Sequence, residues 1–360
     1  MKRVRHKLCV AIVIAFIFSI TVGAQVPPDI AAKLREIGTG VCVPETAKIY
    51  APLQQHEPYA GVTVVRDISY FSDPRTIMDV FAPEKGEANR PVLVYVSGGG
   101  GDKRVTGPDG DAFYDNIMLW AVKNGMTGVN MQRRGGLGGS GLAWDESAKD
   151  VGRVVEWVRA NITKYKGNPN RIFLWADSAG NGPVSTYAAH EEIHGSNGAV
   201  VKGIILMSSP NFNILPETVP AGARGGAAPG TPGPPPGLSA TCGRPAGEAR
   251  GGAPRGGAPR GGGEGRGGPA PEVDQATLLA RSNLPGLAKG KIAVFMGWGE
   301  LDPQNIYTFD ETLKNALCKV GRCPTTAFYK DHSHVSLVFS PNTADNSVTA
   351  PILEWMKSVQ

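Results

Sequence analysis

Arg171-Ile-Phe-Leu-Trp-Ala-Asp-Ser178-Ala-Gly180 carries the pattern that decides how this chain is organised. The apolar run Ile172 to Trp175 has the length and composition of a buried strand, and the segment Asn181 to His190 is compatible with a helix. Between them Ser178 is flanked by Ala176 two residues before and Gly180 two residues after. A serine raised on a sharp strand-to-helix corner needs such small neighbours, because larger side chains would collide with the adjoining strand and helix. The corner also aims the free N–H groups of the helix start at whatever reacts with the hydroxyl. Short matches of this kind arise by chance in a glycine-rich chain. Strand before and helix after is the context that selects Ser178 as a candidate nucleophile.

Outward from this corner, strand-like and helix-like segments alternate. Val62–Val65, Thr76–Phe81, Pro91–Val96, Gly125–Asn130, Ile204–Met207, Ile292–Met296 and Thr325–Tyr329 read as strands. Helices are expected over Ala112–Val122, Gln304–Leu317 and Asp345–Lys357. Another is marked by Val151, Val154, Val155, Val158 and Ile162, which fall on one helical face. Alternation of this kind predicts an α/β fold, a mostly parallel sheet with helices on both faces. At 360 residues and 41% apolar, the chain can bury one large core, so a single domain with additions is expected.

The ends and one internal stretch depart from that pattern. Lys2, Arg3, Arg5 and Lys7 precede the apolar Leu8–Ile20, and Val22-Gly23-Ala24 supplies small residues before Gln25. This reads as a signal peptide over residues 1–24, hence a secreted or periplasmic protein, with 25–60 as an N-terminal extension and 61–360 as the main domain. The apolar run is too short to span a bilayer and no cysteine follows the small residues, so no stable membrane anchor is expected. Residues 221–270 interrupt the domain: 27 of these 50 are Gly or Pro, and Ala-Pro-Arg-Gly-Gly occurs at 253–257 and again at 258–262. Such a segment cannot bury enough apolar surface to offset chain entropy, which predicts a disordered insert.

The formal charge of +5 includes four positives in the signal region, which leaves about +1 without it. Six Arg of the insert, against two Glu, leave the remainder slightly acidic. A nucleic-acid partner is therefore not expected, and the insert lacks the interleaved aromatics of an RNA-binding segment. Beyond the signal, Cys42, Cys242, Cys318 and Cys323 make an even count that favours disulfides in an exported protein; their three possible connectivities stay open.

A serine nucleophile needs a base, and the base an orienting acid. Asp302 follows the strand Ile292–Met296 through Gly297-Trp-Gly-Glu300-Leu and precedes Pro303, with Glu300 as a nearby rival. Lys330-Asp-His332-Ser-His334-Val-Ser336 follows the last strand and offers two candidate bases. No carboxylate or cysteine at ligand spacing completes a metal site with these histidines, so neither metal nor organic cofactor is expected. Val94-Tyr-Val-Ser97-Gly98-Gly99-Gly100-Gly101 places glycines directly after a buried strand, where backbone N–H groups can converge on a developing oxyanion; the N–H of Ala179 would be a second source. A phosphate loop would want Gly-Lys-Ser/Thr or spaced glycines, which are absent here.

Taken in order, YVSGGGG, WADSAG, GELDP and DHSHVS resemble the α/β-hydrolase esterases of the hormone-sensitive-lipase and BD-FAE-like type, over roughly residues 60–358. The resemblance implies an α/β-hydrolase fold with Ser178 as nucleophile, Asp302 as acid and His334 as base. His334 is favoured over His332 because a hydrophobic and then a small residue follow it. It also implies Gly99, Gly100 and Ala179 as oxyanion donors. Two departures stand out: Ser97 opens the loop where the family has histidine, and Ala176 replaces the usual glycine two residues before the nucleophile. The implied activity is hydrolysis of carboxylic esters, as small molecules or linked to polysaccharide as acetyl or feruloyl groups. A peptidase or amidase, or a non-catalytic binding protein of the same fold, are the alternatives.

Overall fold

The computed structural model describes residues 26–107, 112–135, 142–194, 198–210, 212, 242 and 275–359. The expected signal peptide, and the expected disordered insert except for Cys242, lie outside the described residues.

The chain opens with helices α1 (Pro28–Ile37) and α2 (Val43–Tyr50), then strands β1 (Val62–Ser69), β2 (Ile77–Pro83) and β3 (Arg90–Val96). A short hairpin, β4 (Val105–Thr106) and β5 (Ala112–Phe113), leads to α3 (Asp115–Lys123), β6 (Thr127–Met131) and α4 (Glu146–Asn161). Next come β7 (Gly167–Asp177), α5 (Asn181–Ala189), α6 (Glu191–His194) and β8 (Gly203–Met207). The last third holds α7 (Gln275–Ala280), α8 (Leu284–Lys289), β9 (Ala293–Leu301), α9 (Gln304–Lys319), β10 (Thr325–Ser333), α10 (Ser336–Phe339) and α11 (Thr349–Ser358).

Eight strands form one sheet in the order β1-β2-β6-β3-β7-β8-β9-β10. β2 runs antiparallel to β1 and β6, and every pairing from β6 to β10 is parallel. This is the α/β-hydrolase fold. Side-chain alternation along each strand feeds two cores, as the period of two requires. Val92, Val94, Ile172, Leu174, Ile204 and Leu206 pack with α4, α5 and α9 on one face. Leu93, Tyr95, Phe173, Trp175, Ile205 and Met207 pack with α1, α3 and α11 on the other.

Three of the differences between sequence and structure concern the helices around the sheet. The helix expected from Ala112 starts at Asp115, because Ala112 and Phe113 pair with Val105 and Thr106 in the hairpin. The helix expected from Asp345 starts at Thr349; the Asp345 carboxylate instead accepts from the Ser347 N–H and hydroxyl, which favours a turn over helix. The extension at 25–60 contains α1 and α2, which the sequence reading passed over. Ile30, Leu34 and Ile37 of α1 are buried, and Arg35 pairs with Glu300 at 2.8 Å and with Asp331, fastening the extension to the ends of β9 and β10.

Both disulfides form, Cys318–Cys323 across the turn between α9 and β10 and Cys42–Cys242 between the start of α2 and the insert. The second joins residues 200 apart in sequence, so its loss releases a large loop in the unfolded chain; the chain-entropy ceiling is about 5 kcal/mol. We expect the Cys42→Ser/Cys242→Ser protein to melt several degrees lower than the oxidised parent in a thermal scan. Superimposable melting curves would remove any stabilising role for this bridge.

Candidate active site

Ser178 sits where β7 gives way to a single turn, Ser178–Gly180, and then α5. Its φ of 47° is the left-handed conformation of a strained corner. Close packing explains the small neighbours. A Cβ on Gly180 would lie 2.2 Å from the carbonyl oxygen of Val96, and one on Gly98 would lie 2.6 Å from Cβ of Ser178. The elbow and the loop after β3 are therefore in van der Waals contact, and glycine is required on both sides.

That loop makes a tight turn in which Gly101 N–H donates to Gly98 O at 2.9 Å. The central amides of such a turn, Gly99 and Gly100, are not consumed by its hydrogen bond. Both residues line the cavity that Ser178 lines. Ala179 occupies the first turn after the elbow, where backbone N–H groups have no intrahelical acceptor. Ser97 Oγ donates to the carbonyl of Asp102 at 2.6 Å, closing the loop on itself.

The candidate acid and base come from neighbouring strand ends. Asp302 directly follows β9 and His334 directly follows β10, and these two strands pair in parallel. His334 Nδ1 lies 2.8 Å from Asp302 Oδ1. The carboxylate can only accept, so Nδ1 carries the proton and Nε2 holds the lone pair of the neutral ring. Nε2 is buried and has no hydrogen-bond partner among the described residues. Asp302 Oδ2 is held in turn by Ser208 Oγ at 2.5 Å and by the Gly299 N–H at 2.7 Å. Burial acts to lower the pKa of His334, but the hydrogen bond and charge of Asp302, with the charge of Asp177, outweigh it and raise it above 6.5.

The rival residues are engaged elsewhere. Glu300 accepts from Arg35 and from the Asp331 N–H. His332 lies within β10 rather than beyond the strand end and is fully buried. Its Nδ1 is 2.8 Å from Ser336 Oγ and its Nε2 2.7 Å from Ser347 Oγ. Burial pushes its pKa down to about 4 despite the nearby Asp345.

Two contributors were not read from sequence. Ser208, which orients Asp302, follows β8 immediately; a small polar residue closing an apolar strand was the only local sign of it. Asp177, adjacent to Ser178, accepts from Tyr95 Oη and from the Gly98 N–H at 3.0 Å. Burial raises the pKa of Asp177 and, more strongly, that of Tyr95, which keeps the phenol protonated and donating. Asp177 thereby ties the loop after β3 to the elbow.

Gly98–Gly100, Ser178 and His334 share one cavity of about 350 Å³. Its walls are mainly apolar, with Val41 and Val43 from the N-terminal extension, Val105, Ile306, Val338 and Phe339. Among the described residues no group of His, Cys, Asp and Glu is placed to hold a metal ion.

A serine at a sharp strand-to-helix corner, a glycine loop and an Asp–His pair on successive strand ends are thus brought together at one end of the sheet of an α/β-hydrolase fold. Residues 78–203 match the BD-FAE family model. Pyrethroid hydrolase Ces2e of Rattus norvegicus is 31% identical over 134 residues, 35% of this chain and 22% of that protein. Phenmedipham hydrolase of Pseudarthrobacter oxydans is 26% identical over 192 residues, 45% of this chain and 36% of that protein. The matches thus span about a fifth to a third of these curated relatives. A hyperthermophilic esterase from the archaeon Pyrobaculum calidifontis superimposes with a TM-score of 0.57 at 16% identity, covering 93% of this chain and all of that one. The chain is an α/β-hydrolase-fold protein that resembles the esterases of the BD-FAE and hormone-sensitive-lipase type.

Proposed function

We propose that the protein is a serine esterase that hydrolyses carboxylic esters through an acyl-enzyme. The observation that carries this reading is the Asp302–His334 pair, whose Nε2 is buried and unpartnered among the described residues, in the cavity lined by the elbow serine. Ser178 Oγ attacks the ester carbonyl while His334 Nε2 takes its proton. The N–H groups of Gly99, Gly100 and Ala179 receive the oxyanion, and Asp302 stabilises the imidazolium. The alcohol leaves with the proton from His334. A water molecule, deprotonated by the same nitrogen, then attacks the acyl-serine and releases the acid.

The apolar walls and modest volume favour small esters, with acetyl or feruloyl groups on polysaccharide as one source. Two disulfides fit an oxidising compartment and support the reading of an exported protein. The test is labelling by a fluorophosphonate, followed by hydrolysis of p-nitrophenyl esters of increasing chain length. We expect a single adduct on Ser178 and kcat/KM that declines as the acyl chain outgrows the cavity. Absence of labelling and turnover would favour a binding protein, and faster cleavage of amides than of matched esters would favour an amidase.

The pH dependence follows from the same pair. His334 must be neutral to act as base, and Asp302 raises its pKa above 6.5. Activity should therefore be full at alkaline pH and fall as pH drops through an apparent pKa above 6.5. In Asp302→Asn the acidic limb should move to lower pH, along with a loss of rate. A variant whose limb stays in place would detach Asp302 from the titration of His334.

A further inference from the structure

The loop that carries Gly99 and Gly100 is gripped from two sides, and only one of them belongs to the elbow. Asp177 holds the Gly98 N–H from the side of Ser178. On the opposite side stands Arg133, two residues beyond the end of β6 and 2% exposed. Its Nη2 donates to the carbonyl of Ser97 at 3.1 Å and its Nη1 to the carbonyl of Gly135 at 3.0 Å. Its backbone N–H donates to the carbonyl of Gly101 at 2.9 Å. The side chain also packs flat on the loop: a Cβ on Gly101 would lie 2.7 Å from Cγ of Arg133 and 3.1 Å from its guanidinium carbon. One residue therefore fixes the first and last carbonyls of the Ser97–Gly101 turn. Arg75 adds an outer strap, donating to the carbonyls of Gly100 and Arg133 and to Asp102.

The chemistry of these contacts is directional. A guanidinium donating to the Ser97 carbonyl polarises the Ser97–Gly98 peptide, whose N–H is the one Asp177 accepts from, so the two grips on the loop strengthen each other. Burial acts to lower the pKa of Arg133, while the carboxylates of Asp177 and Asp150 favour its charged form. A buried guanidinium is costly to keep unless its site satisfies it. Here it is spent on the backbone of a loop at the reacting centre rather than on a surface ion pair.

We propose that Arg133 is a positioning residue for the oxyanion-binding loop, holding the amides of Gly99 and Gly100 in the geometry that receives the transition-state oxyanion. The Ser97 hydroxyl secures the loop's own ends, and Arg133 secures the loop to the sheet. The proposal rests on the esterase reading above.

The test compares the parent with Arg133→Lys and Arg133→Met, measuring melting temperature, kcat, KM and inhibition by a trifluoromethyl ketone, whose hemiketal oxyanion needs the loop. For Arg133→Met we expect kcat to fall about 100-fold and the ketone to bind weaker by a similar factor, with KM changed about threefold or less. Arg133→Lys keeps the charge and the aliphatic stem but not the fork, and should recover part of both losses. If Arg133→Met fails to fold, Arg133→Lys decides by the same parallel between kcat and ketone affinity. Folded variants with unchanged kcat, or with a loss of kcat that leaves ketone affinity intact, would overturn the proposal. A parent protein that neither turns over esters nor takes up the fluorophosphonate would instead overturn the esterase reading, a result distinguishable because it needs no variant.

Discussion

Replacing Ser178 by alanine is expected to lower kcat/KM on a p-nitrophenyl ester by about 10⁴-fold or more while leaving the melting temperature nearly unchanged. The elbow is built from backbone contacts that alanine preserves. Cβ of residue 178 already meets the neighbouring Gly98, and the hydroxyl is the only atom removed. The corner's left-handed φ of 47° disfavours alanine no more than serine, since both carry one Cβ. The oxyanion loop and the Asp302–His334 pair would remain, so a residual rate above the uncatalysed one is expected from them. Activity above a few per cent of the parent, with contaminating esterase excluded by the absence of fluorophosphonate labelling in the variant preparation, would sink the assignment of Ser178 as nucleophile.

Two histidine variants should separate widely. We expect His334→Ala to lose about as much activity as Ser178→Ala, because nucleophile and base act as one unit. His332→Ala should retain most of its kcat per folded molecule and lose stability instead. His332 is buried with a hydroxyl on each ring nitrogen, so its removal opens a cavity and deletes two hydrogen bonds worth about 0.5–1.5 kcal/mol each, while Ser336 keeps Ser333 and Ser347 keeps Asp345 as partners. Measuring kcat together with thermal unfolding distinguishes the two cases. A catalytically dead but stable His332→Ala beside an active His334→Ala would reverse the assignment.

The N-terminal extension has more bearing on the site than a polar lead-in would. Val41 and Val43 form part of the cavity wall, and Arg35 bridges Glu300 and Asp331, which stand two and three residues from Asp302 and His334. Its helices are hard to read from sequence because each is short and begins at or beside a proline, and helices of this length hold only when docked, α1 on β10 and α2 on α10.

What the sequence by itself determined is what depends on neighbours along the chain. The apolar runs of β3, β7 and β8 announce buried parallel strands, because both faces of each strand must be covered. The elbow from Ala176 to Gly180 and the glycine turn after β3 are contiguous, so their steric demands are written in consecutive residues. Tertiary structure alone decided which distant groups meet. Glu300 and Asp302 are near neighbours on one strand end, as are His332 and His334 on the next, and composition cannot rank either pair. The outcome turns on backbone geometry: the β9–β10 register shifts between Tyr329 and Ser333, and Asp331 adopts a φ of 64°. That irregularity turns His332 inward to Ser336 and Ser347 and releases His334 past the strand end to reach Asp302. Ser208 on Asp302, Arg133 on Ser97 and Cys42 on Cys242 are likewise joined across 94, 36 and 200 residues. Such pairings follow from strand order and register, which are properties of the whole folded sheet and of no single segment.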